Sequence, residues 1–118
     1  MLVISDTGAL LSLELCGLLG RCLGNFQIVI GERVKAELKE LAASDDVLGR
    51  AAKNILALKI KTEKTSKEFE KGEYEALELL KKLDGDLLVS DDINFVRRWE
   101  KKDERISFST VLIFLLYE

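Results

Sequence analysis

Histidine is absent from the 118-residue sequence. Its absence excludes Ser-His-Asp triads, Cys-His dyads, histidine-ligated zinc sites and acid–base catalysis by imidazole. Any catalysis must therefore use carboxylates, bound metal ions, or the side chains of Lys, Tyr, Ser, Thr or Cys. Proline is absent as well, but no function follows from that.

Cysteine is scarce, and long apolar runs are missing. Cys16 and Cys22 are the only two cysteines, and at this spacing they do not make a metal site by themselves. We expect free thiols rather than a disulfide. The longest apolar run, Val111 to Tyr117, is much shorter than the ~20 residues that a membrane helix needs. Since no signal peptide is recognisable, we expect a cytoplasmic protein that does not enter a membrane.

Charge of either sign is not in large excess. Charged residues make up 33% of the chain, but the net charge is only −3, and the 47% hydrophobic residues can form a core. A protein that coats nucleic acid is usually basic, whereas a nuclease that contacts RNA over a short stretch needs only a suitable local surface. The length is that of one domain, so we expect residues 1–118 to form a single domain.

Short β-prone runs alternate along the chain with segments of helical periodicity. The runs Leu2 to Ser5 and Leu87 to Ser90 are almost wholly apolar, as expected for strands buried on both faces of a parallel sheet. Further strands are predicted at Phe26 to Ile30 and Ile106 to Phe108, with a short one at Leu58 to Ile60 left open. The alternation predicts an α/β fold, a three-layer α/β/α sandwich around a central parallel sheet.

Helices are predicted between these strands, because apolar residues recur there at helical spacing. They cover Thr7 to Leu15, Glu32 to Leu41, residues 44–57, Glu73 to Leu83 and Ile93 to Lys102. Three glycines break the stretch after the first helix, and residues 59–71 have the composition of an exposed link. The last segment, Thr110 to Tyr117, fits either a helix or a strand.

Five acidic residues fall where an α/β fold would bring them to one edge of the sheet. They are Asp6, Glu37, Glu73, Asp91 and Asp92. Three of them directly follow buried strands, and ligands of open parallel sheets bind beyond the carboxyl ends of the strands. Carboxylates crowded there repel one another unless a cation lies between them, and hard oxygen ligands suit Mg²⁺ or Mn²⁺. The pattern points to metal-assisted chemistry on phosphate.

Each of these acids also has a purely structural interpretation. Asp6 could cap the helix that follows it, and Glu37, on the flank of an apolar helix stripe, could face solvent. Glu73 could complement the dipole at a helix start, and Glu75 competes with it for any functional role. Taken singly, none of these positions decides between a structural and a functional role.

The adjacent acids Asp91 and Asp92 are harder to explain by structure alone. Neighbouring carboxylates after a buried strand repel unless they are solvated, capping or bound to cations. One of the two could cap the helix that begins at Ile93, which leaves the other to face the crevice. Asp92 is the preferred ligand, because it ends a Ser/Thr-x-Asp pattern that starts at Ser90; Asp91 is kept as a second candidate.

Four short motifs follow one another along the chain. They are Ser5-Asp6-Thr7-Gly8-Ala9, Val34-Lys35-Ala36-Glu37-Leu38, Gly72-Glu73-Tyr74-Glu75-Ala76 and Leu87-Leu88-Val89-Ser90-Asp91-Asp92. In this order they resemble the motifs of PIN-domain ribonucleases, and of the prokaryotic VapC-like branch in particular. The chain departs from the family pattern at Gly8, where Ser is usual, and at Ser109, where Gly is usual.

This resemblance covers nearly the whole chain and implies a metal-dependent endoribonuclease with a PIN-like fold. It makes Asp6, Glu37, Glu73 and Asp92 the catalytic residues, holding one or two Mg²⁺ or Mn²⁺ ions directly or through water. RNA is the implied substrate. Many members of this branch are toxins that a small antitoxin protein inhibits, and they are usually homodimers. An antitoxin partner and a homodimer are therefore implied here too.

Basic residues on the helix after Asp92 are candidates for holding the RNA backbone. They are Arg97, Arg98, Lys101 and Lys102. A solvated helix face is the simpler explanation of the same residues.

Other functions stay open beside this one. A phosphoacceptor receiver domain also gathers acids at strand ends, but its acidic pair normally follows the first strand. A phosphatase with an aspartate nucleophile would have a second Asp where this chain has Gly8. The main alternative is a catalytically weak PIN-like module that binds RNA or protein, because Gly8 lacks the hydroxyl of the usual Ser.

Overall fold

A central parallel sheet organises the structure, a computed structural model that describes residues 1–66 and 72–118. The strands in these ranges are β1 Leu2–Ser5, β2 Gln27–Gly31, β3 Lys61–Glu63, β4 Leu87–Ser90 and β5 Ile106–Phe108. All five pair in parallel in the order β3-β2-β1-β4-β5. The order turns back at β1, which therefore has β2 on one side and β4 on the other. A switch of this kind opens a crevice at the carboxyl edge of the sheet.

Helices connect the strands. Those in the described residues are α1 Thr7–Leu15, α2 Leu19–Asn25, α3 Glu32–Ala42, α4 Val47–Ala57, α5 Gly72–Lys82, α6 Ile93–Trp99 and α7 Thr110–Leu116. Each of α1, α3 and α6 starts within three residues of the end of a strand, so their N-termini lie at the carboxyl edge of the sheet.

Alternate strand residues point to opposite faces of the sheet, and each face has its own core. Val3 packs in the first core, with helices α1, α2, α3, α4 and α7. Its neighbour Ile4 packs in the second, with α5 and α6. Each fully buried Leu or Ile contributes roughly 1.5–3 kcal/mol through removal of apolar surface from water. The three-layer α/β/α sandwich with a parallel sheet is thus confirmed.

The strand predictions are confirmed where the strand is apolar. The strands at Leu2 to Ser5, Leu87 to Ser90 and Ile106 to Phe108 have the predicted bounds. The second strand, predicted from Phe26, is shifted by one residue to β2. The open prediction at Leu58 to Ile60 is wrong, because β3 begins at Lys61 on the sheet edge, where polar residues are tolerated.

The helix predictions differ from the structure at several points. Helix α4 begins at Val47 rather than at residue 44, and α6 ends at Trp99 rather than at Lys102. Helix α2 was not predicted, because its glycines disfavour a helix; burial of Leu19 and Cys22 stabilises it nonetheless. The segment from Thr110 is a helix, α7, in which Leu112 is buried. The predicted link at residues 59–71 contains β3, and its part at residues 67–71 lies outside the described residues.

Both cysteines are free thiols, as expected: Cys16 is exposed and Cys22 is buried. In the described ranges, no single helix is long and apolar enough to cross a membrane. Helices α1 and α2 meet that criterion only when taken together, and they are bent by 112° relative to each other.

Candidate metal centre

A cleft of about 600 Å³ opens at the carboxyl edge of the sheet, beyond β1 and β4. Its walls come from the start of α1, the first turns of α3 and α5, and α6 with the residue before it. The lining residues are Asp6, Thr7, Gly8, Arg33, Glu37, Glu73, Asp92, Asn94, Phe95 and Arg98. The structure thus brings four of the five predicted acids, Asp6, Glu37, Glu73 and Asp92, to one cleft.

Asp6 has two structural partners in addition to its place in the cleft. It is the N-cap of α1, and its Oδ1 accepts the backbone N–H of Ala9 at 2.8 Å. Its Oδ2 accepts a hydrogen bond from the Ser90 hydroxyl at the end of β4. Burial raises the pKa of the Asp6 carboxyl to about 6, against the opposing effect of these two hydrogen bonds. Nearby Asp91 and Asp92 raise the pKa further.

Asp92 is the N-cap of α6. Its Oδ1 accepts the backbone N–H groups of Asn94 at 3.0 Å and Phe95 at 3.2 Å. Both bonds use the same oxygen, and Oδ2 has no hydrogen-bond partner among the described residues, so it is available to a ligand in the cleft. The backbone N–H of Asp92 donates to Ser90 Oγ at 3.1 Å, so Ser90 connects Asp92 to Asp6.

Asp91 is the predicted metal ligand that the structure does not bring to this cleft. Its Oδ1 accepts a hydrogen bond from the Ser109 hydroxyl. With Ser109, Ile93 and Phe108 it lines a separate, mostly apolar groove. Successive residues after a strand point in different directions, and here that separates the two carboxylates.

Glu37 lies on α3 one turn after Arg33, whose Nε is 3.9 Å from Glu37 Oε1. Its side chain is 34% exposed and lines the cleft. Burial raises the pKa of the Glu37 carboxyl, and the Arg33 guanidinium opposes that effect. The Thr7 hydroxyl lies near this carboxyl and lowers its pKa, although Thr7 Oγ1 forms no well-aligned hydrogen bond with a described residue.

Glu73 and Glu75 lie close together in the first turn of α5, yet they point to different places. Glu73 is half-buried and lines the cleft. Glu75 is only 3% exposed and does not line it. Instead, both Glu75 oxygens accept the backbone N–H of Arg33, at 3.1 and 3.0 Å. Helix packing therefore places Glu73, and not Glu75, at the cleft.

Several cleft residues were not among the predicted site residues. Thr7, Arg33 and Asn94 line the cleft, and each is within four residues of a predicted acid, which is the only signal that the sequence offers. Of the four basic candidates on and after α6, Arg98 lines the cleft. Lys102 packs over the Trp99 ring instead, 4.8 Å from its centroid.

The donor set suits a hard divalent cation, since the cleft offers four carboxylates and no sulfur or imidazole ligand among the described residues. Two further observations agree: Asp6 is buried enough to have a raised pKa, and the buried Thr7 hydroxyl lacks a partner within the described residues. No cluster of three or more acids or cysteines in residues 1–66 and 72–118 is already close enough to enclose an ion. Some ligands would therefore act through water, as is common for Mg²⁺.

A family described as PIN domain matches residues 2–115 of this chain. No curated protein matches it. PIN domains are generally nucleases, and those nucleases usually use divalent metal ions. The match covers nearly the whole sequence, and the five-stranded parallel sheet between helical layers agrees with it. The chain therefore belongs to the PIN-domain family.

Proposed function

We propose that this protein is a metal-dependent endoribonuclease that hydrolyses RNA phosphodiester bonds at the acidic cleft. One observation carries the proposal: Asp6, Glu37, Glu73 and Asp92, which lie on four different elements, line a single cleft in a PIN-domain chain. Among the described residues only Glu37 of these four has an ion pair, at 3.9 Å from Arg33, and carboxylates with so few cations are costly to hold together in a folded protein. A bound cation would offset that cost and would assist the hydrolysis of a phosphodiester bond in the cleft.

Asp6, Asp92, Glu37 and Glu73 are the residues that would hold Mg²⁺ or Mn²⁺. When bound, such an ion lowers the pKa of its water and offsets negative charge that develops on the phosphate. Ser90 keeps Asp6 and Asp92 in fixed positions through its two hydrogen bonds. Asp6 and Asp92 are also helix caps, so their backbones are held rigid.

Cationic and polar side chains in the cleft suit the RNA backbone. Arg33, Arg98 and Asn94 line it beside the carboxylates. An arginine can bind a phosphate through two parallel hydrogen bonds. Arg98 is exposed, and among the described residues no ion pair with an acid is found for it, so it is the candidate for this contact. Its neighbour Arg97 does not line the cleft and serves as a matched control.

The test is cleavage of a mixed panel of RNAs with Mg²⁺, Mn²⁺ or EDTA. The variant Asp6→Asn is compared with Asp46→Asn, the same change at an exposed helix cap of α4 outside the cleft. Metal-dependent cleavage that D6N loses and D46N keeps is the expected result. Cleavage in EDTA, or cleavage that D6N retains, would contradict the proposal.

The contact of Arg98 with RNA is tested by a binding measurement. R98A should weaken RNA binding more than R97A does, and it should reduce the salt dependence of that binding.

We further propose the finer role of a toxin in a toxin–antitoxin pair, with a VapC-like relationship and a homodimer. The motif resemblance supports the toxin role and the VapC-like relationship. The exposed apolar side chains of Phe114 (73% exposed) and Tyr117 (64% exposed) support the homodimer, because a second copy could cover them. Toxicity on expression, relieved by a neighbouring gene, is the direct test. Sedimentation of the purified protein tests the homodimer separately.

A catalytically weak PIN-like module that binds RNA or protein is the second candidate, and Gly8 is the observation that favours it. Gly8 lines the cleft beside Asp6 but brings no hydroxyl to it. Binding of Mn²⁺ and RNA without cleavage of any RNA in the panel would favour this function over the nuclease.

A further inference from the structure

Helix α3 is capped by a residue from another helix. Its N-cap position is Gly31, which has no side chain to offer. The carboxylate of Glu75 on α5 takes that place, because both of its oxygens accept the Arg33 N–H. The nearby Val34 N–H opposes the rise that burial causes in the pKa of Glu75. Glu75 is 42 residues from Arg33 in sequence and 3% exposed. A buried carboxylate of this kind is stabilised by the free N–H groups and the dipole at a helix start.

Gly31 is required by this arrangement because of space. A Cβ at position 31 would lie 1.8 Å from Glu75 Oε1 and 2.1 Å from its carboxyl carbon. The backbone at Gly31 is extended, with φ of −88°, so conformational freedom is not the reason for glycine. The three atoms that crowd position 31 most closely all belong to Glu75. The two residues therefore form one interlocked contact between β2, α3 and α5.

The contact joins the two helices that bring glutamates to the cleft. Helix α3 holds Glu37, one turn after the capped residue Arg33, and α5 holds Glu73, two residues before Glu75. Both Glu37 and Glu73 line the cleft, whereas Glu75 does not. Loss of the cap would free the first turn of α3 to move relative to α5, and the spacing of the two cleft glutamates would no longer be fixed.

We propose that Glu75 is a positioning residue, which holds Glu37 and Glu73 at the spacing that divalent-metal binding needs. This inference rests on the proposed metal-dependent function and adds to it a residue outside the cleft. Residues that orient metal ligands from outside typically change metal affinity by about 10- to 100-fold when they are replaced.

The test measures Mn²⁺ affinity of the metal-free protein by calorimetry, and amide hydrogen exchange at Arg33 and Val34. Glu75→Gln keeps the shape but directs an NH₂ group at backbone N–H donors. Asp46→Ala is the control, because Asp46 caps α4 through its Oδ1, which accepts the Gly49 N–H at 2.7 Å, and does not line the cleft. We expect E75Q to weaken Mn²⁺ binding on the order of 10-fold or more and to speed exchange at both amides, whereas D46A leaves Mn²⁺ affinity unchanged.

Gly31→Ala provides a second variant that keeps the Glu75 charge. In the wild-type background its methyl group displaces the carboxylate, so we expect the same loss of Mn²⁺ affinity as in E75Q. In an E75A background the crowding atoms are gone, and G31A should cause no further loss. This non-additivity distinguishes a local clash with Glu75 from general damage to the fold.

Two outcomes would overturn the role of Glu75 while the proposed function stands: E75Q binding Mn²⁺ as tightly as D46A, or G31A adding its full effect to E75A. A wild-type protein that binds no Mn²⁺ and cleaves no RNA would overturn both proposals, since there would be no metal site to position.

Discussion

The Ser90 hydroxyl donates a hydrogen bond to Asp6 Oδ2 across 84 residues of sequence. It joins the ends of β1 and β4, which are adjacent parallel strands with Ser5 opposite Val89. The same oxygen of Ser90 accepts the Asp92 N–H. Because Ser90 is fully buried, its hydroxyl is shielded from water, and its two bonds hold Asp6 and Asp92 in fixed positions relative to each other.

Ser90→Ala is expected to lower both protein stability and metal affinity, although the substitution removes only one oxygen atom. It removes a bond that lowers the pKa of Asp6 and leaves the Asp92 N–H without its partner. We expect a loss of stability of about 1–3 kcal/mol and about a tenfold loss of Mn²⁺ affinity. Ser5→Ala is the matched control, because the equally buried Ser5 hydroxyl donates to the Asp6 backbone carbonyl at 3.0 Å rather than to its carboxylate. If S5A lost as much Mn²⁺ affinity as S90A, the bond to the carboxylate would not be the cause.

Asp6→Asn is expected to stabilise the metal-free protein at neutral and alkaline pH. The pKa of Asp6 is about 6 in the folded protein and 3.8 as an unperturbed group, so the folded state binds the proton more tightly. Its contribution to stability is fully present below pH 3.8 and is lost as the pH rises through about 6. At one pKa unit per 1.36 kcal/mol, the loss at pH 8 is roughly 3 kcal/mol at most. Asn keeps the helix cap but cannot ionise.

Urea unfolding in EDTA across pH 4 to 8 measures this effect. The stability difference between D6N and wild type should grow from pH 4 to pH 7 in favour of D6N, and then level off. A difference that does not vary with pH would contradict the raised pKa of Asp6. Added Mn²⁺ should raise the melting temperature of wild type and leave that of D6N unchanged.

Asp92→Asn and Asp91→Asn should differ strongly in metal binding. Asp92 lines the cleft and Asp91 does not, although the two are adjacent in sequence. Asn is about as good an N-cap as Asp, so D92N should unfold at nearly the wild-type temperature while Mn²⁺ affinity falls about 10-fold or more. D91N removes a carboxylate bonded to Ser109 and should change Mn²⁺ affinity little. Calorimetry measures the Mn²⁺ affinity of both variants. If D91N bound Mn²⁺ more weakly than D92N, Asp91 and not Asp92 would be the ligand.

Gly8→Ser is expected to strengthen metal binding. A Cβ at position 8 would lie 3.8 Å from Asp91 Cβ and 3.9 Å from Asp6 Oδ1, which is ordinary contact distance, so a serine fits. Its hydroxyl would add an oxygen beside Asp6. Gly8→Ala is the control for helix propensity, since Ala stabilises a helix by up to about 1 kcal/mol over Gly. We expect G8S to bind Mn²⁺ more tightly than G8A, and equal affinities would show that the hydroxyl has no role.

Local sequence properties predicted most of the secondary structure. The runs at Leu2 to Ser5 and Leu87 to Ser90 are apolar except for their final serines, and both strands have the predicted bounds. The secondary-structure prediction was wrong where tertiary packing overrides the local preference of the residues for helix or strand. Helix α2 forms despite its glycines because its apolar side chains are buried, and β3 is polar because it lies at the sheet edge.

The sequence by itself determined that Asp6 and the Asp91-Asp92 pair follow buried strands, because the end of an apolar run is a local signal. It also indicated the PIN-domain family through the order of its motifs. Only the tertiary structure decided which carboxylate enters the cleft. Asp92 lines the cleft whereas Asp91 does not, and Glu73 lines it whereas Glu75 does not. The positions of these side chains depend on strand register and on how α5 packs against α3. Such contacts join residues 42 and 84 positions apart, and no local periodicity encodes them.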